Sequence, residues 1–135
     1  MNALGDKVGA ALMRPHRSYL APVRKLIQAE VVSGFAHITA GGLTENLPRI
    51  LPRGLAAQVD LASWETPPLF THLQTLGDVE PEEMLRTFNM GIGMVLVVSK
   101  SSAAAVIKLL EKEGETVYRL GTLVKRAKEA VIVRD

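Results

Sequence analysis

The chain has 135 residues, 47% of them hydrophobic and 22% charged, with a formal net charge of +2 and no cysteine. Such a chain suits one globular domain, which at this size buries roughly two-thirds of its unfolded surface; disorder, a disulfide framework, a thiolate metal site and a cysteine nucleophile are excluded. With aromatics at 4% and Lys125, Arg126 and Lys128 as the densest basic group, there is little to track or stack a nucleic acid, and that group reads as a solvated face.

In chain order, residues 1–17 read as an arm, with a short helix around Val8 to Met13. The opening MNALGDKVGAALMRPHR carries an early acid and no clear cleavage site, and no apolar run is long enough to cross a bilayer. A cytoplasmic location with no membrane partner is expected. An amphipathic helix follows over about Ser18 to Glu30, with Leu20, Val23, Leu26 and Ile27 on its apolar side, Pro22 in the first turn and Ser18 as cap. Val31 to Ala40 is a strand interrupted by Ser33-Gly34. Alternation puts Phe35, His37 and Thr39 on one face and Ala36 and Ile38 on the other.

After Gly41 and Gly42 comes a helix with Leu43, Leu47 and Ile50 at helical spacing. Pro48 makes it short or kinked, or restarts it with Asn46 as cap. Pro52-Arg53-Gly54 is a turn, Leu55 to Asp60 a strand, and Ser63 to Pro68 a loop carrying the only tryptophan. Helices are expected over Pro68 to Leu76, ended by Gly77, and from Pro81 to near Phe88, with Glu80, Glu82 and Glu83 at the positive end of the dipole. Met94 to Ser99 looks like a central strand. Ser101 or Ser102 caps a helix to Glu113, stopped by Gly114. Thr116 to Val124 and Ala130 to Arg134 are the last strands, the second an edge candidate. This order gives an α+β class: a three-layer α/β/α-like domain with a mixed β-sheet.

Two glycine loops hold the candidate chemistry. In the first, His37-Ile38-Thr39-Ala40-Gly41-Gly42 runs from strand to helix. Free N–H groups at a helix start and the close approach that glycine permits make an anion site, although many such turns use glycine for geometry alone. Thr39 shares the His37 face; Asn46 and Arg49 follow on the helix. Histidine exchanges protons near neutral pH and arginine grips phosphate bidentately. Taken alone, His37 more commonly reads as a buried structural histidine satisfied by backbone, and Glu45 as a solvent-facing helix residue rather than a site acid. The second loop, Asn89-Met90-Gly91-Ile92-Gly93, precedes a strand, so it is not a dinucleotide fingerprint; it is either a pocket wall or a tight turn. No HExxH, P-loop, GxSxG or EF-hand pattern occurs, and His16, His37 and His72 lack metal-ligand spacing, so no metal site is expected.

The segments HITAGGLTENLPRILP, SWETPPLF and LQTLGDVEPEEMLRTFNMGIGM, in this order, resemble the C-terminal half of aminoimidazole ribonucleotide synthetase, or phosphoribosylformylglycinamidine cyclo-ligase. The likeness runs from about Leu12 to Val133. The second and third segments favour this family over formylglycinamidine synthase or selenophosphate synthetase. The resemblance implies an enzyme of purine biosynthesis that uses ATP and magnesium to close formylglycinamidine ribonucleotide to aminoimidazole ribonucleotide. ATP phosphorylates the formyl amide oxygen, the amidine nitrogen attacks that carbon, and phosphate leaves.

The resemblance makes residues 1–17 the arm from an ATP-binding half and residues 18–135 the C-terminal cyclo-ligase domain. It makes the full-length enzyme a homodimer with its cleft between the halves. ATP and magnesium are bound mainly by the other half, and none is expected in this chain alone. Residue by residue, His37 and Thr39 match the family's strand, with His37 the catalytic candidate. Gly41 and Gly42 match its glycine turn, Asn46, Pro48 and Arg49 the helix, Asn89, Gly91 and Gly93 the second loop, and Pro15, Arg17 and Tyr19 a Pro-Thr-Arg-x-Tyr segment. Thr39, Gly41, Gly42, Asn46, Arg49, Asn89, Gly91 and Gly93 are then substrate-binding candidates. Ala40 stands where the family has the first of three glycines, and His16 where it has threonine. The chain therefore reads as a fragment, inactive alone; the alternative is a non-enzymatic phosphometabolite-binding or assembly module.

Overall fold

The computed structural model describes residues 7–134; the first six residues of the expected arm, and Asp135, lie outside the described residues. The elements are α1 (Val8–Leu12), α2 (Leu20–Ala29), β1 (Val32–His37), α3 (Gly42–Asn46), β2 (Leu55–Asp60), α4 (Pro68–Gly77), α5 (Pro81–Thr87), β3 (Met94–Val98), α6 (Ala103–Lys112), β4 (Gly121–Lys125) and β5 (Val131–Arg134). Two 3-10 turns, Leu47–Ile50 and Leu61–Ser63, follow α3 and β2.

The alternation of β1 sets the layers. β1 pairs antiparallel with β3, Phe35 opposite Leu96 and Ala36 opposite Val95. Phe35 and Leu96 pack towards Leu26 of α2 and Val106 and Leu110 of α6. Ala36 and Val95 face the other way, into a core shared with Leu43, Met84, Ala57, Val59 and Trp64. The β1–β3 pair is thus the middle of three layers. A bulge lies between Val32 and Gly34, where the sequence carries Ser33-Gly34. The extra residue lets Val32 and Phe35, three apart, share the α2–α6 side, which strict alternation forbids.

β2 is the centre of a second sheet in the order β4-β2-β5, antiparallel to β4 and parallel to β5. The α+β class and the mixed strand orientation stand, but the strands form two hydrogen-bonded sheets rather than one. Met94 to Ser99 is correspondingly not a central strand. β3 is paired on one side only and is half-buried along its whole length, because its other edge opens into a cleft. The last antiparallel strand begins at Gly121, not Thr116; at Gly121, φ is 155° and a side chain would strike the Gln58 carbonyl of β2. β5 is an edge, as expected for the last strand.

The helices start close to the expected places. α4 and α5 open on Pro68 and Pro81, whose missing N–H groups cost nothing in a first turn. α4 runs through Gly77 and ends with Asp78 in the left-handed region. In α2 the buried line is Pro22 and Leu26, one turn apart, whereas Leu20 and Ile27 are exposed. Those two belong to the apolar arc by sequence, but the layer beneath reaches only one side of it. No helix of the described residues is long and apolar enough to cross a membrane.

Candidate functional site: two glycine turns and a histidine face

The first turn is held from inside by Asn46. Its side chain is buried, 4% exposed, and Nδ2 donates to the carbonyls of Gly42 at 2.8 Å, Ala40 at 3.2 Å and Thr39 at 3.4 Å. Thr39 O also accepts from Gly42 N–H, closing the turn at 3.0 Å. Asn46 therefore shapes the turn, and its amide donors are already committed. Gly41 caps α3 with φ 98°, and Gly42 follows with φ 54°. A Cβ on Gly42 would sit 1.9 Å from the Leu85 carbonyl oxygen and 2.7 Å from that of Phe88, so this glycine lets α3 press against the end of α5. A Cβ on Gly41 would meet side-chain atoms instead, Glu45 Cβ and Oε2 both at 2.8 Å.

That carboxylate changes the electrostatics expected for the turn. Glu45 is half-exposed, lies over Gly41 and pairs with Arg86 Nε at 3.0 Å. Its hydrogen bond, then the Glu83 charge and its own charge, raise the Arg86 guanidinium above its ordinary value. α3 is only five residues long before Pro48 turns the chain into a 3-10 helix, so few peptide dipoles add at its start. An anion here would rest on backbone N–H groups and nearby arginines. Arg49, on the 3-10 turn, is exposed.

The second turn meets the first. Ile38 N–H donates to Gly93 O at 2.9 Å, and Gly42 packs beside Phe88, one residue before Asn89. Asn89 Oδ1 accepts from Gly91 N–H at 2.9 Å, making a local turn. Gly91, with φ 97°, packs against the Pro67 ring, and buried Trp64 donates its indole N–H to Met90 O at 2.9 Å. Gly93 lies under the Tyr19 hydroxyl. The arrangement brings His37, Gly93 and the arm residues 16–19 together, while Asn46 and Gly42 turn inward and Arg49 stays on the surface.

His37 is exposed at the end of β1, paired with Met94. A shallow hollow of about 370 Å³ beside it is lined by Arg17, Ser18, Tyr19, Leu20, Val23 and Met94. Tyr19 stands 5.9 Å from His37 between ring centroids, and burial, then Glu115, raises its phenol above the ordinary value, with Arg17 opposing. Arg17 anchors the arm through Glu115 at 2.9 Å and the Gly114 carbonyl. His16, which sequence spacing set apart, lies 5.0 Å from His37 between ring centroids. Nothing in the spacing could have joined them, since the arm returns across the end of β1. Gly91 and Gly93 also border the broad cleft of about 970 Å³ that runs between β3, α6 and the 115–123 segment. Among the described residues no three His, Asp or Glu side chains gather into a metal cluster.

The fold and site define an α+β domain whose two glycine turns meet below an exposed histidine. A family described as AIR synthase related protein, C-terminal domain, matches residues 2–134, and the chain belongs to that family. It is 42% identical over 98% of its length to a phosphoribosylformylglycinamidine cyclo-ligase of Alkaliphilus metalliredigens, covering 38% of that protein. It is 54% identical over 83% of its length to one of Methylobacillus flagellatus, covering 32%. The chain thus spans about a third of the length of these relatives. Among solved structures, the hydrogenase maturation protein HypE of E. coli superposes with a TM-score of 0.63 at 18% identity, over 83% of this chain and 35% of HypE. The thiamine-monophosphate kinase of Stenotrophomonas maltophilia gives 0.58 at 18%, over 97% of this chain and 45% of the kinase. At such identity these two speak for the fold alone.

Proposed function

We propose that this chain is the C-terminal domain of a phosphoribosylformylglycinamidine cyclo-ligase, the ligase that closes formylglycinamidine ribonucleotide to aminoimidazole ribonucleotide in purine biosynthesis, and that it does not turn over by itself. The observation that carries this reading is the 42% identity to a cyclo-ligase across 98% of the chain. The reaction needs a ribose phosphate held in place and proton transfer near the forming ring.

In this reading His37 handles the proton or contacts the developing oxyanion, because it is exposed above the meeting point of the two turns. Thr39, Gly41, Arg49, Asn89, Gly91 and Gly93 border the substrate, while Gly42 and Asn46 act by holding the turn in shape. Residues 1–17 are the arm from an ATP-binding half, and residues 18–135 the domain itself. At the first turn the Glu45 carboxylate lies 2.8 Å from where a Gly41 Cβ would sit and opposes a triphosphate there. ATP and magnesium belong to the other half, which would also supply the opposite wall of the cleft and the homodimer contact.

The test mixes this chain with the ATP-binding half of a relative and follows ATP-dependent ring closure. The expected result is activity in the mixture, none with either part alone, and a large loss when His37→Ala is introduced. Turnover by the isolated chain, or a folded and associated pair without activity, overturns the reading; unchanged turnover of the variant removes His37 from the mechanism.

A further inference from the structure

Two exposed histidines far apart in the sequence meet edge to face at the surface. His16 comes from the arm and His37 from the end of β1, and their ring centroids are 5.0 Å apart. His16 Nδ1 lies 2.8 Å from the Arg17 carbonyl oxygen. A carbonyl only accepts, so Nδ1 carries the proton and Nε2 keeps its lone pair. Metal-bound histidines are held the same way, with the far ring nitrogen donating to a backbone carbonyl. No protein hydrogen bond engages either nitrogen of exposed His37 among the described residues.

We propose that His16 and His37 form a two-imidazole site for a divalent transition-metal ion of the zinc–copper class, with water completing the shell. Two imidazoles sharing one ion at metal–nitrogen lengths of about 2.0–2.1 Å place their centroids about 4.5–5.2 Å apart for ligand angles of about 90–110°. The observed 5.0 Å falls within that span. The rings cross at 89°, edge to face, so one must turn to aim its nitrogen at the shared point. His37 is exposed, and torsions of this kind are broad and soft.

The surroundings tolerate a cation. The guanidinium of Arg17, next to His16 in the chain, is paired with Glu115 at 2.9 Å and also donates to Gly114 O. Tyr19, with centroids 6.1 Å from His16 and 5.9 Å from His37, offers an oxygen or a ring face. Imidazole pairs select zinc, copper and nickel, whereas magnesium and calcium require oxygen ligands. The site does not depend on the cyclo-ligase reading; a bound ion would occupy one nitrogen of the histidine to which that reading assigns proton transfer.

The test titrates the whole 135-residue chain calorimetrically with zinc chloride, copper sulfate and magnesium chloride in a non-chelating buffer. One equivalent of zinc or copper is expected to bind with micromolar affinity, and magnesium not at all. His16→Thr and His37→Ala should each weaken zinc about tenfold or more, and His72→Ala should leave it unchanged. Absence of zinc and copper binding at about 1 mM metal, or wild-type affinity in a folded His16→Thr protein, overturns the proposal. Should His37→Ala fail to fold, proton NMR of the unmutated chain decides. Substoichiometric copper must broaden two histidine ring signals before the third; equal broadening of all three overturns the site.

Discussion

Replacing Asn46 by Asp swaps one NH2 for an oxygen at the centre of the first turn. In the native protein that nitrogen donates to three carbonyl oxygens, the shortest contact 2.8 Å, from a side chain 4% exposed. An ionised carboxylate there loses every donor and sets its charge against three carbonyl dipoles. Leaving such buried groups unsatisfied costs about 1–3 kcal/mol, and more when one is charged, so about 3–4 kcal/mol is expected at neutral pH. Domains of this kind are stable by about 5–15 kcal/mol, so the variant should fold and be measurable. Asn46→Ala, which introduces no charge, should cost less, about 1–3 kcal/mol.

The assay is urea unfolding followed by the fluorescence of Trp64, itself buried and hydrogen-bonded beside the second turn. Burial and the carbonyls favour the protonated form of the introduced carboxyl, so its pKa in the folded state lies above the unfolded value near 3.9. The native state then binds more protons than the unfolded state between those two values. The variant's stability relative to the parent should therefore fall as pH rises through that window and be nearest the parent below it. A relative stability that rises with pH, or a variant as stable as the parent at neutral pH, refutes the clamp.

Two further outcomes follow from the same geometry. Gly42→Ala should cost about 2–5 kcal/mol, combining about 1–2 for a left-handed alanine with about 1–3 for overpacking against backbone that cannot rotate away, whereas Gly41→Ala meets nothing nearer than Glu45 Cβ and Oε2 at 2.8 Å, of which the carboxylate can turn aside but the Cβ cannot, and should cost less, about 1–3 kcal/mol. Equal losses in urea unfolding would show that the contact with the Leu85 carbonyl does not decide the matter. Tyr19 has a folded pKa raised chiefly by burial, so its contribution to stability is full below the unfolded value near 10 and is lost as pH rises through the folded value. Tyr19→Phe should flatten that alkaline loss and remove a late phenolate absorbance step; an unchanged alkaline limb contradicts it.

The elements were legible because local signals and tertiary structure agree. Pro68 and Pro81 open helices, and the alternation of Phe35, Ala36, His37 and Ile38 sorts two core clusters. What failed did so for tertiary reasons. MVLVV has the composition of a strand buried on both sides, yet only β1 pairs with it, and composition does not state how many neighbours a strand finds. Leu20 and Ile27 lie on the apolar arc of α2 but outside the part that the sheet covers. At the site, the strand, turn and helix around Gly41 were readable. The inward aim of Asn46 and the approach of His16 to His37 were not, because both depend on where distant backbone returns.

Glycine carried much of the sequence-level case for an anion site, and the structure redistributes that weight. Gly42, Gly91 and Gly93 each face a specific neighbour: the Leu85 carbonyl, the Pro67 ring and the Tyr19 hydroxyl. Those contacts explain the absence of a side chain without any ligand. Gly41 differs in that only side-chain atoms, those of Glu45 and the clamping amide of Asn46, lie over it. An anion reaching the backbone at Gly41 must first meet the Glu45 carboxylate, and like charges at that range repel. Entry therefore requires Glu45 to turn away, which breaks its 3.0 Å pair with Arg86 and frees that guanidinium for another partner. Charge at this site is thus governed less by the five-residue helix than by which partner Arg86 holds.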